Sequence, residues 1–283
     1  MTEERRESFI EFTTGLEEEA LPEFLTMETD WDMYVTVIDD EKALVMIDMA
    51  AIRVAPIIKC SNLLGIQIAI QNPTEDGFYQ ESERDTLFGI EDRIEDVFKA
   101  EAHAKHIATI TSGGSRMLYF YAADDTYLAG LVGKIASEYS NYQFNYLLEK
   151  DAPWNFYFNV VYPSSVEFQI MKNRKVIQNM AGAGADLSEE YEVNHWFFFD
   201  NGASRAQAKV RLMALGYEIL EDNFYNENVP GTPFGLHILG KHDLQIETLT
   251  ELTYDFFDLA EEYQGIYDGW EVLPDGDPET DFI

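Results

Sequence analysis

Glu101-Ala102-His103-Ala104-Lys105-His106 places two imidazoles three residues apart with a carboxylate close by. On a helix, residues i and i+3 share a face, so such a pair could ligate a transition metal. No third ligand stands at a fixed spacing, and the pair falls where a helical pattern ends. The expected role is a helix-end histidine interacting with the C-terminal dipole. Ser112-Gly113-Gly114-Ser115 could offer backbone N–H groups to a phosphate. It joins two strand-like runs, however, and reads as a hairpin turn. The Gly-Ala run at 181–185 has neither the preceding strand nor the capped helix of a dinucleotide fingerprint. There is no Walker A sequence, no Gly-x-Ser-x-Gly elbow and no Cys-x-x-Cys, and nothing pairs a nucleophile with a base. The expectation is a protein that is not an enzyme and holds no metal or cofactor.

The residues with a clearer purpose are acidic. The last 42 residues, His242 to Ile283, hold thirteen Asp or Glu and no Lys or Arg. A helix from about Gln245 to Gln264 would set Glu247, Glu251, Asp255, Asp258 and Glu262 on one face. Leu249, Leu252, Phe256, Leu259, Ala260 and Tyr263 would take the opposite face. Like charges at i,i+4 each cost about 0.2–0.5 kcal/mol, and no cation alternates with them. The stripe reads as a surface for a positively charged partner. After it, Tyr267 and Trp270 are candidate apolar anchors, and Asp268 can bond back to the backbone of a turn at Gly269. Packing of Trp270 on the core is the competing role.

Composition widens the same argument. Asp plus Glu number 53 against 19 Lys plus Arg, for a net charge of −34 over 283 residues. The acidity is spread over both halves. Such a field repels nucleic acid phosphates and anionic lipid and favours basic proteins. The single cysteine, Cys60, excludes an internal disulfide and lies among Ile57, Ile58, Leu63 and Leu64, so it reads as buried and inert. No stretch has the composition of a signal peptide or a membrane span; a soluble cytoplasmic protein is expected.

The elements that must position these residues fall into two α+β domains after an acidic arm at residues 1–29. In residues 30–163, strands are expected at Trp31–Asp39, Ala43–Ile52, Leu64–Ile70, His106–Thr111, Arg116–Ala122, Tyr142–Glu149 and Phe156–Val161. Helices are expected at Glu81–Ala104 and Thr126–Tyr139. The result is an antiparallel-rich sheet with two helices. Tyr162-Pro163-Ser164-Ser165 marks the boundary, with Ser164 or Ser165 capping the next helix. That helix runs to about Met180 and carries Lys172, Arg174 and Lys175, which could bind an anion or simply form a solvated face. In residues 164–283 there follow a strand at Glu192–Phe199, a helix at Gly202–Leu215, strands at Tyr217–Leu220 and Phe234–Leu239, the acidic helix, and an edge strand at Trp270–Leu273. The order βαββα(β) predicts a ferredoxin-like sandwich. His195, in the strand before Trp196-Phe197-Phe198-Phe199, reads as a structural histidine.

The C-terminal residues also resemble a known family. Tyr191-Glu192-Val193-Asn194-His195, a helix ending Ala214-Leu215-Gly216-Tyr217-Glu218-Ile219, and the closing acidic helix with Tyr267-Asp268-Gly269-Trp270-Glu271 resemble regulator of ribonuclease E activity B. The resemblance covers roughly residues 165–275. It implies a small acidic protein that binds an endoribonuclease and inhibits it without being an enzyme. Residues 30–163 resemble a bacterial domain of unknown function often fused to that family. Trp31, Ile90-Glu91-Asp92, Thr109–Tyr121 with its Gly-Gly-Ser-Arg turn, Trp154-Asn155-Phe156-Tyr157 and Tyr162-Pro163 carry that likeness.

The expected function is therefore a non-catalytic acidic regulator that binds a basic partner protein, an endoribonuclease among the candidates, through its C-terminal domain. The alternative is a small-ligand-binding or hydrolytic domain in residues 30–163, resting on Trp31, Tyr119, Tyr121, Trp154 and Tyr157. An enclosed pocket lined by these rings would favour it.

Overall fold

Alternating apolar residues in Asn62–Ala69 and Ser115–Ala122 make both segments strands, and both are buried on almost every residue. They lie inside a sheet, where a near-continuous apolar run is required. The computed structural model describes residues 24–226 and 231–272; most of the acidic arm and the residue Leu273 lie outside them. The chain divides into two compact units between Pro163 and Ser164.

The first unit is a six-stranded sheet with two main helices. The strands are β1 (Trp31–Ile38), β2 (Glu41–Asp48), β3 (Asn62–Ala69), β4 (Ala104–Ser112), β5 (Ser115–Ala122) and β6 (Phe144–Lys150). Their order is β1-β2-β4-β5-β3-β6, and every neighbouring pair is antiparallel. Helices α1 (Glu81–Val97) and α2 (Leu128–Glu138) bury Leu87, Ile90, Ile94, Leu131 and Ile135 against Leu64, Ile66, Leu118 and Phe120 of the sheet. The β4–β5 hairpin turns through Gly113 at φ 53 and Gly114 at φ 75, the paired positive dihedrals of a type I′ turn.

Two expected strands end differently. The run from Ala43 stops at Asp48, whose carboxylate accepts from Ala50 N at 3.1 Å and caps a 3-10 turn at Met49–Arg53. Phe156–Val161 is not a strand but the site of a π-helical turn, Tyr157–Val161. The aromatic and β-branched composition favours a strand, yet Asp151 accepts from Asn155 N at 2.8 Å and Phe156 N at 2.9 Å and starts a helical turn there. Tyr157 and Val161, four apart, then share one buried face. Trp154 is fully buried, stacks on Tyr121 with centroids 3.9 Å apart and donates to Cys60 O at 2.9 Å. Burial raises the Cys60 thiol to about 12, so it is inert as expected.

The second unit opens with helix α3 (Ser165–Gly182), held by a capping box in which Ser164 and Glu167 satisfy each other's backbone N–H groups. Next come β7 (Tyr191–Phe199), α4 (Gly202–Ala214), β8 (Glu218–Glu221), β9 (Phe234–His242), α5 (Ile246–Glu262) and β10 (Gly265–Val272). The strand order is β10-β7-β9-β8, again antiparallel throughout. The edge strand β10 begins at Gly265, five residues before the expected Trp270. Phe197, Phe199, Leu236 and Ile238 of the central strands pack with Leu212 of α4 and Phe256 and Leu259 of α5.

Candidate functional site

Helix α5 separates its two faces cleanly. Leu249, Thr253, Phe256, Leu259 and Ala260 are buried, while Glu247, Glu251, Asp255, Asp258 and Glu262 are all exposed. None of the five makes an ion pair with a Lys or Arg among the described residues. The stripe is thus one-signed in space as well as in sequence. Tyr254 stands on the same outer surface, three residues from Glu251 and four from Asp258, and is 43% exposed. It is an exposed aromatic beside the stripe, and its place there follows from the same 100° per residue.

One buried polar network ties this helix down, and a second joins the strands beneath it. The first centres on Asn173 of α3, 1% exposed. Its amide donates to Thr253 Oγ1 at 2.9 Å, and its Oδ1 accepts from Trp270 Nε1 at 2.7 Å and Gln169 Nε2 at 2.9 Å. One side chain therefore ties α3, α5 and β10 together. Trp270 is half-buried with its only donor engaged, while Asp268 is exposed. The carboxyl of Asp268 is pushed up by partial burial, against the lowering effect of Lys172.

The second network is a chain of imidazoles. His242 Nδ1 lies 2.7 Å from Asp243 O, so that nitrogen donates and Nε2 is left as an acceptor. His195 Nε2 is 3.2 Å from His242 Nε2 and must be its donor. His195 Nδ1 then accepts from the Tyr267 hydroxyl at 2.9 Å. Burial lowers His195 to about 3 and also lowers His242. Tyr267 is 5% exposed, so its ring belongs to the core rather than to a surface that a partner can reach. Its hydroxyl holds β10 to the histidine chain. His195 is the structural histidine its setting implied.

In the first unit the Glu101–His103–His106 grouping that the spacing allows does not form, and the helix-end role is the expected one. His103 is exposed in a left-handed conformation, φ 47, after the π-helical turn that ends α1. His106 points instead from β4 toward the middle of α1. Its Nδ1 is 2.5 Å from Glu95 Oε1, and its Nε2 faces Ala108 O at 2.9 Å and Thr109 Oγ1 at 2.8 Å. Thr109 donates to Glu91 Oε1 at 2.8 Å, and Arg116, 1% exposed, bonds Glu91 Oε2 through Nε at 2.9 Å and Nη2 at 2.5 Å. These groups sit on one side of a cleft of about 270 Å³ whose apolar walls are Trp31, Met46 and Phe88. Of the five rings on which the small-ligand alternative rested, Trp31 lines this cleft. Tyr119, Tyr121, Trp154 and Tyr157 are core, with burial raising Tyr119 to about 12. Glu91 and Glu95 were hidden because only the fold brings residues on α1 up to a strand that follows it.

Comparison with known proteins separates the two units along the same division. Residues 170–272 match the family Regulator of ribonuclease activity B. Residues 29–162 match a family of unknown function (DUF695). A regulator of ribonuclease activity B from Salmonella typhi is 27% identical over 122 residues, covering 42% of this chain and 88% of that protein. Its namesake from Shewanella denitrificans is 25% identical over 109 residues, covering 38% of this chain and 84% of that protein. A crystal structure of an unknown protein from Galdieria sulphuraria aligns with 76% of this chain at 10% identity, but its TM-score of 0.21 carries no argument. No helix among the described residues is long and apolar enough to cross a membrane.

Proposed function

We propose that this protein is a non-catalytic regulator of ribonuclease activity, working in the cytoplasm, whose C-terminal domain binds a basic partner protein, with an endoribonuclease as the first candidate. The observation that carries this is the unpaired acidic stripe of α5 on a domain similar to named regulators of ribonuclease activity. Glu247, Glu251, Asp255, Asp258 and Glu262 supply electrostatic steering and register. Trp270 and Asp268 border the stripe's domain edge on β10, and Tyr254 offers apolar area within it. Tyr267 supports from beneath. We read the domain as a ferredoxin-like sandwich, supported by the order β10-β7-β9-β8 and the βαββαβ succession from β7. The Asn173–Thr253 bond and the packing of Phe256 and Leu259 hold α5 in place before binding, which limits the ordering cost.

The test is binding to a purified endoribonuclease by the full chain and by a variant with Glu251, Asp255 and Asp258 changed to Lys. Binding is expected to fall at least tenfold in the variant, and its salt dependence to flatten. Equal affinity and equal salt dependence would sink this mechanism. A second reading places a small ligand in the cleft beside Trp31, where Glu91, Glu95, His106 and Arg116 converge.

A further inference from the structure

The contact between His106 and Glu95 poses a valence problem. His106 Nε2 faces a backbone carbonyl, Ala108 O, which can only accept, so Nε2 carries the proton. Nδ1 faces Glu95 Oε1 at 2.5 Å, as an N–H donor in an imidazolium and as a bare lone pair in a ring protonated on Nε2 alone. A bare lone pair and a carboxylate oxygen so placed need a cation: a proton at 2.5 Å, or a metal ion once the two atoms have spread to about 3.4 Å. The surroundings favour a metal. Oxygen atoms of Glu91 and Glu95, four apart on α1, and a nitrogen of His106 all lie within 4.8 Å of one another. The unused His106 nitrogen donates to a carbonyl, the outer-shell arrangement that fixes a ligating imidazole. Its ring is clamped between Phe120 and Trp31, each with its centroid 4.8 Å away. Thr109 and Arg116 hold Glu91 in the same way.

We propose that Glu91, Glu95 and His106 form a site for a divalent transition-metal ion of the zinc or cobalt class. One nitrogen and two carboxylate ligands suit such borderline ions better than calcium or magnesium. Ligands of a tetrahedral zinc ion stand about 3.4 Å apart, given bonds of about 2.1 Å. Glu95, whose side chain is 43% exposed, therefore swings outward by about 1 Å on loading. Three protein ligands leave a position open toward the cleft beneath Trp31 and Phe88, the pattern of reactive rather than structural sites.

The full chain, stripped with chelator and dialysed at high salt against zinc or cobalt ions, is expected to retain one equivalent and to show a cobalt visible spectrum. Glu95→Gln, at the cleft rim, is expected to lose this binding with its thermal unfolding unchanged. Thr109→Val, which leaves the three ligands in place, is expected to weaken binding by about 10–100-fold. Glu251→Gln on α5 is expected to change nothing. Failure to retain stoichiometric metal overturns the site and leaves a shared proton in its place. Retention that Glu95→Gln does not reduce also overturns it, because the ion is then held only by the protein's diffuse negative charge. Neither result bears on binding by the C-terminal stripe.

Discussion

Acidification from pH 7 to 5 is expected to destabilise the C-terminal domain through His195. The ring is fully buried, and burial, reinforced by the neighbouring His242 and His237, lowers it from an ordinary 6.5 to about 3. Both of its nitrogens are committed in the neutral form, one accepting from Tyr267 and one donating to His242. Between pH 6.5 and 3 the unfolded chain binds a proton at this residue and the native domain does not. Stability from this group is therefore complete above 6.5 and declines as pH falls. Integrating the difference in bound protons gives about 2 kcal/mol lost between pH 7 and 5. Protonation of carboxylates across so acidic a chain acts in the same interval, so the measurement must be a difference. Urea unfolding of the full chain and of His195→Gln, followed at NMR resonances of β7 and β9, removes the common part. The wild type is expected to lose about 2 kcal/mol more than the variant over that range. Equal pH slopes, or an imidazole resonance of His195 that titrates near 6.5 in the folded protein, would refute the reasoning about burial and tautomer.

Other perturbations follow from single contacts. Asp151→Ala strands the Tyr121 hydroxyl, now 2.6 Å from the carboxylate, and two turn amides; a loss of about 2–3 kcal/mol is expected in denaturant titrations of the N-terminal unit. Asn173→Leu leaves the Trp270 indole N–H unpaired in a half-buried setting, and should move that indole resonance and lower stability by about 2 kcal/mol. At Gly235 an added Cβ would lie 2.0 Å from the Phe224 ring, so Gly235→Ala should cost about 1–3 kcal/mol in thermal unfolding. Asp255→Lys replaces repulsion with attraction toward Glu251 and Asp258. It should raise helix stability by about 1 kcal/mol while weakening partner binding, which a paired unfolding and titration experiment reads directly.

Periodicity exposed whatever depends on neighbours in sequence. The 3.6-residue pattern placed α5 within two residues at either end, and capping chemistry narrowed the start of α3 to Ser164 or Ser165, of which Ser164 is the cap. Composition misled at Phe156–Val161, where β-favouring residues fold as a helical turn because Asp151 captures the first amides. Asp151-Ala152-Pro153-Trp154 reads as a turn between strands, and nothing local says which amides the carboxylate takes. Tyr267 failed as a surface anchor for a related reason: its hydroxyl is drawn inward by a histidine 72 positions earlier. The cleft was illegible as chemistry. Trp31, Glu91, Asp92 and Arg116 stood out only as residues that carried a family likeness, and strand pairing between β4, β5 and β2 had to form before they shared one wall.

The acidic stripe has the least local justification of any feature in the chain. Glu247 in the first turn suits the helix dipole, but Glu261 and Glu262 at the other end oppose it, and no basic residue stands in the last turn. Four like-charged neighbours three or four residues apart add about 1–2 kcal/mol of self-repulsion. Solubility does not require that arrangement, since mixed signs on the same face would solvate it equally well and stabilise the helix. Neither does packing, which uses only the opposite face and is complete without the acids. A helix whose buried side is this well anchored, through Asn173, Thr253 and Phe256, can tolerate the repulsion without moving. A second surface bearing the opposite sign, as proposed above, would relieve it. The one-signed face of α5 therefore carries self-repulsion that the proposed basic partner would relieve on binding, and replacing a single acid is expected to register as a gain in stability.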